Sequence, residues 1–292
     1  MVRGMEILNV IANVIAEATG ATEVYAKAGR SGVVINAEGA LGALRLELTK
    51  GRYKSAKFEK TATGELVALE LSRNYTAPSE LRTPSGAKRV SVKNPSFLLL
   101  GLSSTTPSAI DALVLKDKKA WTTSTVSAHI TAVPEYDSET AVVITGDVLR
   151  LADIPGPVSV LKLAITDTAA YVRAVGETGS LTGFLTTTYA SLASDLKAPE
   201  QTHTGTFLQE KLFDLSFEEE IVGFDLTEKN AVELAEPSRF NLCVSGSLLF
   251  DSLRALNTVS PLPVSVTAST TRKPILLEVG TSSVLLAPLV RA

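Results

Sequence analysis

Histidine, cysteine and carboxylate side chains are where catalysis or metal binding would have to begin, and this chain offers few of the first two. Its 292 residues include two histidines, His129 and His203, and one cysteine, Cys243. A Ser-His-Asp arrangement would have to use one of those histidines, yet no Gly-x-Ser-x-Gly elbow is present. No His or Cys spacing matches a zinc site. Both histidines therefore read as surface residues. Cys243, within Phe240-Asn241-Leu242-Cys243-Val244, reads as a half-buried strand residue. The glycine pairs Gly29-Arg30-Ser31-Gly32 and Gly176-Glu177-Thr178-Gly179 lack the Lys-Ser/Thr of a phosphate loop and read as turns. Asn74-Tyr75-Thr76 matches a glycosylation acceptor by chance, and Glu218-Glu219-Glu220 reads as a solvated acidic patch. The expectation is a protein that is not an enzyme, with no catalytic residue, cofactor or metal.

The elements that position these side chains belong to an ordinary globular composition. Hydrophobic residues make up 45% and charged residues 20%, which excludes a disordered chain. The length fits two domains or one large one. No apolar run approaches the roughly 18 residues that cross a bilayer, so no membrane partner is expected. Glu6 and Asn9 come too early for a secretory signal. A single cysteine forms no internal disulfide, which points to a reducing compartment. With 28 basic against 31 acidic residues, nucleic acid cannot be held by bulk charge alone.

Most of the chain alternates at period two between turn signals, the mark of antiparallel sheet with one face buried. Leu44, Leu46 and Leu48 show it, as do Leu161, Leu163 and Ile165, Val264 and Val266, and Ile275, Leu277 and Val279. Four helices are predicted. Residues 5–19 put Ile7, Ile11, Val14, Ile15 and Ala18 on one face, with Glu6, Asn9, Asn13 and Glu17 opposite. Shorter ones cover Pro95–Leu102, Asp147–Ile154 and Ser247–Asn257, each started by Asn, Asp or Ser.

The chain also repeats itself. Val34–Gly42 lies 137 residues before Tyr171–Gly179, and the same shift carries Val10–Glu17 onto Asp147–Ile154. Ser96–Leu99 resembles Ser247–Phe250. Helices separated by several strands indicate α+β halves with helices on one face of an antiparallel sheet. A repeat of about half the chain is a domain duplication, not a solenoid. The expected division is 1–130, a polar connector at 131–140 around Pro134, and 141–292.

The ending Lys273-Pro274-Ile275-Leu276-Leu277-Glu278-Val279, a short turn, then Ser283–Val290 with Leu286-Ala287-Pro288, resembles the close of a sliding DNA clamp. The likeness is to the proliferating cell nuclear antigen (PCNA) family of archaea and eukaryotes. Leu248–Val266 is similar to that family's last helix and following strand, and Val175–Gly179 to a glycine-bounded turn of its second domain. The resemblance implies a DNA clamp fold of two similar domains, each an antiparallel sheet with two helices. It implies a trimeric ring of self or paralogous subunits around duplex DNA. The partners would be a clamp loader, DNA polymerase and other replication and repair enzymes, and the place the nucleoid of an archaeal cytoplasm or a eukaryotic nucleus. The segments 49–88 and 188–238 exceed the family's connections and read as surface-loop insertions.

The resemblance also assigns roles. Helices line the hole, so Arg150 and Arg254 would face DNA, helped by Lys27, Arg30 and Lys93; with Glu6, Glu17, Asp147 and Asp251 on the same faces, the hole is close to neutral. Subunits would join by sheet addition between a strand near Lys119–Ser127 (Trp121, Thr123, Thr125) and one near Ser180–Thr187 (Leu181, Thr182, Phe184, Thr186). A pocket for partner peptides would use Ile130, Val133, Pro134 and Tyr136 with Pro261, Ala287, Pro288 and Leu289. The alternative is a β-rich structural or interaction protein, for example viral, that encircles no DNA.

Overall fold

The computed structural model describes residues 2–76, 82–102, 111–124, 126–190, 202–235, 242–269 and 273–289. The chain opens with α1 (Val2–Thr19), then strands β1 (Glu23–Ala28), β2 (Val33–Gly39) and β3 (Gly42–Leu48). Next come β4 (Ala56–Lys60), β5 (Leu66–Glu70), β6 (Lys88–Lys93) and the short α2 (Pro95–Leu99). β7 (Ala112–Lys116), β8 (Lys119–Thr123), β9 (Ser127–Ala132) and β10 (Ala141–Thr145) lead to α3 (Asp147–Asp153). A second strand set follows: β11 (Val160–Ile165), β12 (Ala169–Gly176), β13 (Gly179–Thr186) and β14 (Thr188–Ala190). β15 (His203–Phe207), α4 (Gln209–Glu218), β16 (Ile221–Leu226), β17 (Val232–Leu234) and β18 (Leu242–Ser245) continue it. The described part closes with α5 (Gly246–Val259), β19 (Val264–Ala268), β20 (Ile275–Val279) and β21 (Ser282–Leu286).

These elements form two compact units that interleave along the chain. The first holds residues 1–99, 112–118 and 133–190, the second 100–111, 119–132 and 191–292. These bounds are not those of the expected 1–130 and 141–292. Both copies of the 137-residue repeat fall in the first unit, where they meet strand to strand, whereas Ser96–Leu99 and Ser247–Phe250 fall in different units.

In the first unit a nine-stranded sheet runs β5-β4-β1-β2-β3-β13-β12-β11-β6. The shift of 137 residues carries β1 onto β11 with the same bounds, and α1's second half onto α3. The copies join where β3 pairs antiparallel with β13, from Gly42↔Leu185 to Leu48↔Gly179. Two reciprocal bonds close the seam: Thr49 N–H donates to the Thr178 carbonyl and Thr186 N–H to the Leu41 carbonyl, each at 2.7 Å. Alternation sorts the faces. Val24, Ala26, Ile35, Leu44, Leu46, Leu163, Val172 and Leu181 are buried on the helix side, where α1 packs on β1–β3 and α3 on β12 and β13. β7, β10 and β14 make a second, short sheet portion in this unit.

Helix α1 is turned about its axis from the expected face. Leu8, Ile11, Ala12, Ile15 and Ala16 are buried, while Ile7 is 50% exposed. The stripe of Leu8, Ala12 and Ala16 at i, i+4 spacing brings small side chains against the sheet, so the helix axis can approach it closely. Thr19 extends that stripe and satisfies its own hydroxyl by donating to the Ile15 carbonyl at 2.7 Å.

In the second unit, strands run β8-β9-β21-β20-β19-β15, with a three-stranded sheet β17-β16-β18 beside them. α5 packs on β20 and β21 and α4 packs on α5. Gln209 anchors α4 by donating from Nε2 to the carbonyls of Ser260 (2.8 Å) and Leu262 (2.6 Å). The two long segments are not simple loops. The first contributes β4 and β5 to the edge of the large sheet, and the second contributes β14 to β17 and the unforeseen α4. No described helix is long and apolar enough to cross a membrane.

Candidate functional site

The surfaces assigned to DNA are the solvent faces of the helices. On α1 that face carries Glu6, Ile7, Asn9, Val10 and Glu17, with no cation among the described side chains. On α3 the Arg150 Nη1 lies 2.7 Å from Asp147 Oδ1, an i,i+3 pair, so its charge is largely spent within the helix. Arg254 stands exposed on α5 with no ion pair among the described residues. It is the better of the two arginines for a phosphate. Period-two alternation turns Lys27 and Lys93 away from α1 and α3: Lys27 shares a face with Tyr25, and Lys93 with Arg89. The Lys27 ammonium also donates to the Tyr75 carbonyl at 2.9 Å. Arg30 sits exposed in the β1–β2 turn, which Gly29 N–H closes on the Gly32 carbonyl at 2.8 Å.

The strands expected to join subunits serve the chain itself. β13 is hydrogen-bonded to β12 on one side and β3 on the other, so its ladder groups are taken and it offers no edge. Leu181 is fully buried on the helix side, Thr182 pairs with both Arg173 and Arg45, Phe184 packs on Tyr171, and Thr186 donates from Oγ1 to the Leu41 carbonyl. β8 pairs with β9, and its Trp121 is buried, with Thr123 half-buried at its end. Thr125 lies outside the described residues. Sequence alternation alone could not separate an edge from an interior strand, since both faces alternate identically.

The residues assigned to a peptide pocket divide between the units. In the first, Val133 and Tyr136 are buried and Pro134 is exposed. A tight turn holds them: Tyr136 N–H donates to the Val133 carbonyl, and Lys118 N–H to the Tyr136 carbonyl. The Tyr136 hydroxyl donates to the Thr140 carbonyl at 3.1 Å, and the Lys88 ammonium sits 4.7 Å from the ring centroid. In the second unit Ile130 is buried in β9, Ala287 and Pro288 are half-buried, and Leu289 and Pro261 are exposed. Leu289 is fixed to β18 from both sides, its N–H donating to the Cys243 carbonyl and its carbonyl accepting from Cys243 Sγ.

The histidines separate. His203 is half-buried beside the Thr202 hydroxyl, 2.8 Å from Nδ1, but His129 is buried in the middle of β9, 3% exposed, and is not a surface residue. Its neighbours Thr122 and Val284 flank it across the strands, and Gly101 lies so close that a Cβ there would sit 2.7 Å from the ring. Among the described residues no cluster of His, Cys, Asp or Glu could hold a metal.

One feature escaped the sequence reading. On the outer face of β1–β3 a cleft of about 340 Å³ is lined by Tyr25, Asn36, Arg45 and Tyr75. Tyr75 stacks on Tyr25 with centroids 4.6 Å apart and planes 8° from parallel. The Lys57 ammonium, 2.6 Å away, and then the Tyr25 hydroxyl hold the Glu23 carboxyl below the usual carboxylate range. Glu23 in turn raises the Tyr25 phenol, and burial raises that of Tyr75.

No protein-family model matches the chain, and no curated protein sequence matches it. Solved structures do. It is similar to the Helicobacter pylori beta clamp bound to a DNA ligase peptide, at 11% identity and a TM-score of 0.55, covering 98% of this chain and 99% of that one. It is similar to the DNA polymerase sliding clamp from Bacillus subtilis, at 10% identity and 0.57, covering 98% of each. The Streptococcus pneumoniae DNA polymerase III beta chain aligns at 13% and 0.51, over 99% and 98%. At such identities the likeness is one of fold: α+β, antiparallel sheets with few helices, in the sliding-clamp arrangement. These neighbours are bacterial beta clamps, not the archaeal and eukaryotic type that the C-terminal residues resemble.

Proposed function

We propose that this chain is a sliding-clamp subunit: copies of it, or it and related chains, close a ring around duplex DNA and tether DNA polymerase and other clamp-binding enzymes. The observation that carries the reading is the duplicated first unit, with α1 and α3 side by side on one face of a continuous sheet, in a chain whose fold aligns end to end with beta clamps. A ring needs no tight grip. Topology holds it on DNA, and a near-neutral helix face favours sliding because each phosphate contact is weak. Tethering then acts through effective concentration, turning repeated encounters into intramolecular ones.

A trimer, the clamp loader, a role in repair, a nucleoid or nuclear location and PCNA-type kinship belong to this proposal through the C-terminal resemblance. Sheet addition between copies falls to true edges, β5 or β6 in the first unit, and not to β13. A partner peptide such as the ligase segment carried by the H. pylori protein is proposed to bind near Pro261, Pro288 and Leu289, which are exposed or half-buried. The test is retention on DNA. A ring loaded on nicked circular DNA stays bound through gel filtration and is released when the circle is linearised; a particle with the mass of one chain overturns the proposal.

A further inference from the structure

We propose that the outer face of β6, β11, β12 and β13, the face turned away from α1 and α3, binds single-stranded nucleic acid. Four exposed cations stand there: Arg89 and Lys93 on β6, Lys162 on β11 and Arg173 on β12. Register brings them together. Lys162 is directly opposite Arg173 on one side and Ser91 on the other, and Ser91 lies between Arg89 and Lys93 along β6. With strands about 4.8 Å apart and same-face residues about 6.6 Å apart along a strand, they form one patch.

The charge is uncompensated in a way the rest of the sheet is not. Across β1, β3 and β4 the same face pairs Arg45 with Glu47 and Lys57 with Glu23 and Glu59, and its remaining cation, Lys27, donates to the Tyr75 carbonyl. Among the described residues none of Arg89, Lys93, Lys162 and Arg173 has an acidic partner. Like charges directly opposite on adjacent strands destabilise a sheet, so Lys162 facing Arg173 is a cost that a bound polyanion relieves.

An aromatic pair identifies which polyanion. Tyr171, two residues before Arg173 and on the same face, stands opposite Phe184, with ring centroids 5.5 Å apart and planes tilted by 35°. Both are half-buried, and the residue beside Tyr171 on β11 is the small Ala164. A stacking platform bordered by cations is how proteins hold single strands without sequence preference. Duplex DNA keeps its base faces internal, and an acidic peptide has no base to stack on Tyr171. This surface lies opposite the helix face assigned to duplex DNA and does not depend on ring closure, which particle mass reports separately.

The experiment is fluorescence anisotropy of the full-length chain with a labelled oligo-dT, a duplex of equal length, and polyglutamate as competitor, between 50 and 200 mM salt. The wild type is expected to bind oligo-dT more tightly than the duplex and to resist polyglutamate. Lys162→Gln with Arg173→Gln should weaken binding at least tenfold and flatten the salt slope by about 1.4, since each cation contributes about 0.7 on a single strand. Tyr171→Leu, which keeps an apolar side chain but removes the π-face, should weaken it about tenfold at unchanged slope and melting temperature, and Tyr171→Phe should restore it. Absence of oligo-dT binding, equal affinity for the duplex, full displacement by polyglutamate, or indifference to Tyr171→Leu each overturns the proposal.

Discussion

Arg45 on β3 and Thr182 on β13 stand directly opposite each other, and each occupies the same place in its own copy of the repeat. The pairs on either side mirror one another: Gly42 faces Leu185 and Gly179 faces Leu48. A local two-fold axis therefore passes between Arg45 and Thr182, and the duplication builds one sheet by pairing a strand with its own counterpart. Such self-complementary pairing needs only one favourable edge sequence, used twice.

The seam is the first place to test. Gly183 has a φ of 151°, and a Cβ there would lie 2.2 Å from the Ala43 carbonyl oxygen of the facing strand. Gly183→Ala is expected to destabilise the fold by about 1–3 kcal/mol or more through clash and strain. Gly29→Ala, with nothing nearer than 4.0 Å, should fall within about 0.5 kcal/mol of wild type. Urea denaturation of both variants reads the contrast, and equal midpoints would remove the seam as a point of close approach.

Tyr136 is buried, its hydroxyl is satisfied by Thr140 and a lysine ammonium lies over its ring. Tyr136→Ala should cost about 3–5 kcal/mol of stability, whereas Tyr136→Phe should cost about 1 kcal/mol for the lost hydrogen bond. Thermal melts decide. A Tyr136→Ala variant with wild-type stability but lost peptide affinity would instead assign Tyr136 to partner binding.

The Glu23–Lys57 pair makes stability depend on pH on the acid side. Because the folded-state value of Glu23 is depressed, its contribution is present above the ordinary value of 4.5 and is lost as pH falls through the folded one. Glu23→Gln should be less stable than wild type at pH 7, and the gap should close toward pH 3. The pair is solvent-accessible, so the effect is small and weakens with salt. A gap independent of pH would contradict the ion pair.

Arg254 and Arg150 differ in how free their charge is. Arg254→Gln should reduce the salt dependence of duplex retention by about one unit of slope. Arg150→Gln should do less, because Asp147 already holds that guanidinium at 2.7 Å. Retention on circular DNA against salt concentration measures both; equal slopes for the two variants and wild type would retire these side chains as phosphate contacts.

Cys243 is 5% exposed and packs under the C-terminal Leu289. Thiol labelling in native buffer should be slow and should accelerate in denaturant. Rapid labelling of a natively folded sample would show that the segment at Leu289 detaches without global unfolding.

Most strands, four of the five described helices and the repeat are legible in the residues alone, while α4 and the strands of the two long segments are not. Leu44, Leu46 and Leu48, or Ile275, Leu277 and Val279, announce strands because a half-buried strand must alternate at period two, and they are buried as expected. The 137-residue shift was legible because duplicated elements keep their lengths, as β1 and β11 do. The glycine pairs at 29–32 and 176–179 close turns, as their composition required. What the sequence could not contain was which edges meet. An interior strand and an edge strand alternate alike, so only the tertiary structure showed β13 committed to β3 and thus lost as a subunit contact. A lone histidine carries no sign of burial, and His129 lies inside because β8 and β21 flank β9. The charge patch was equally invisible: Arg89 is far from Lys162 and Arg173 in the chain, and only the register of β6, β11 and β12 brings the three cations together.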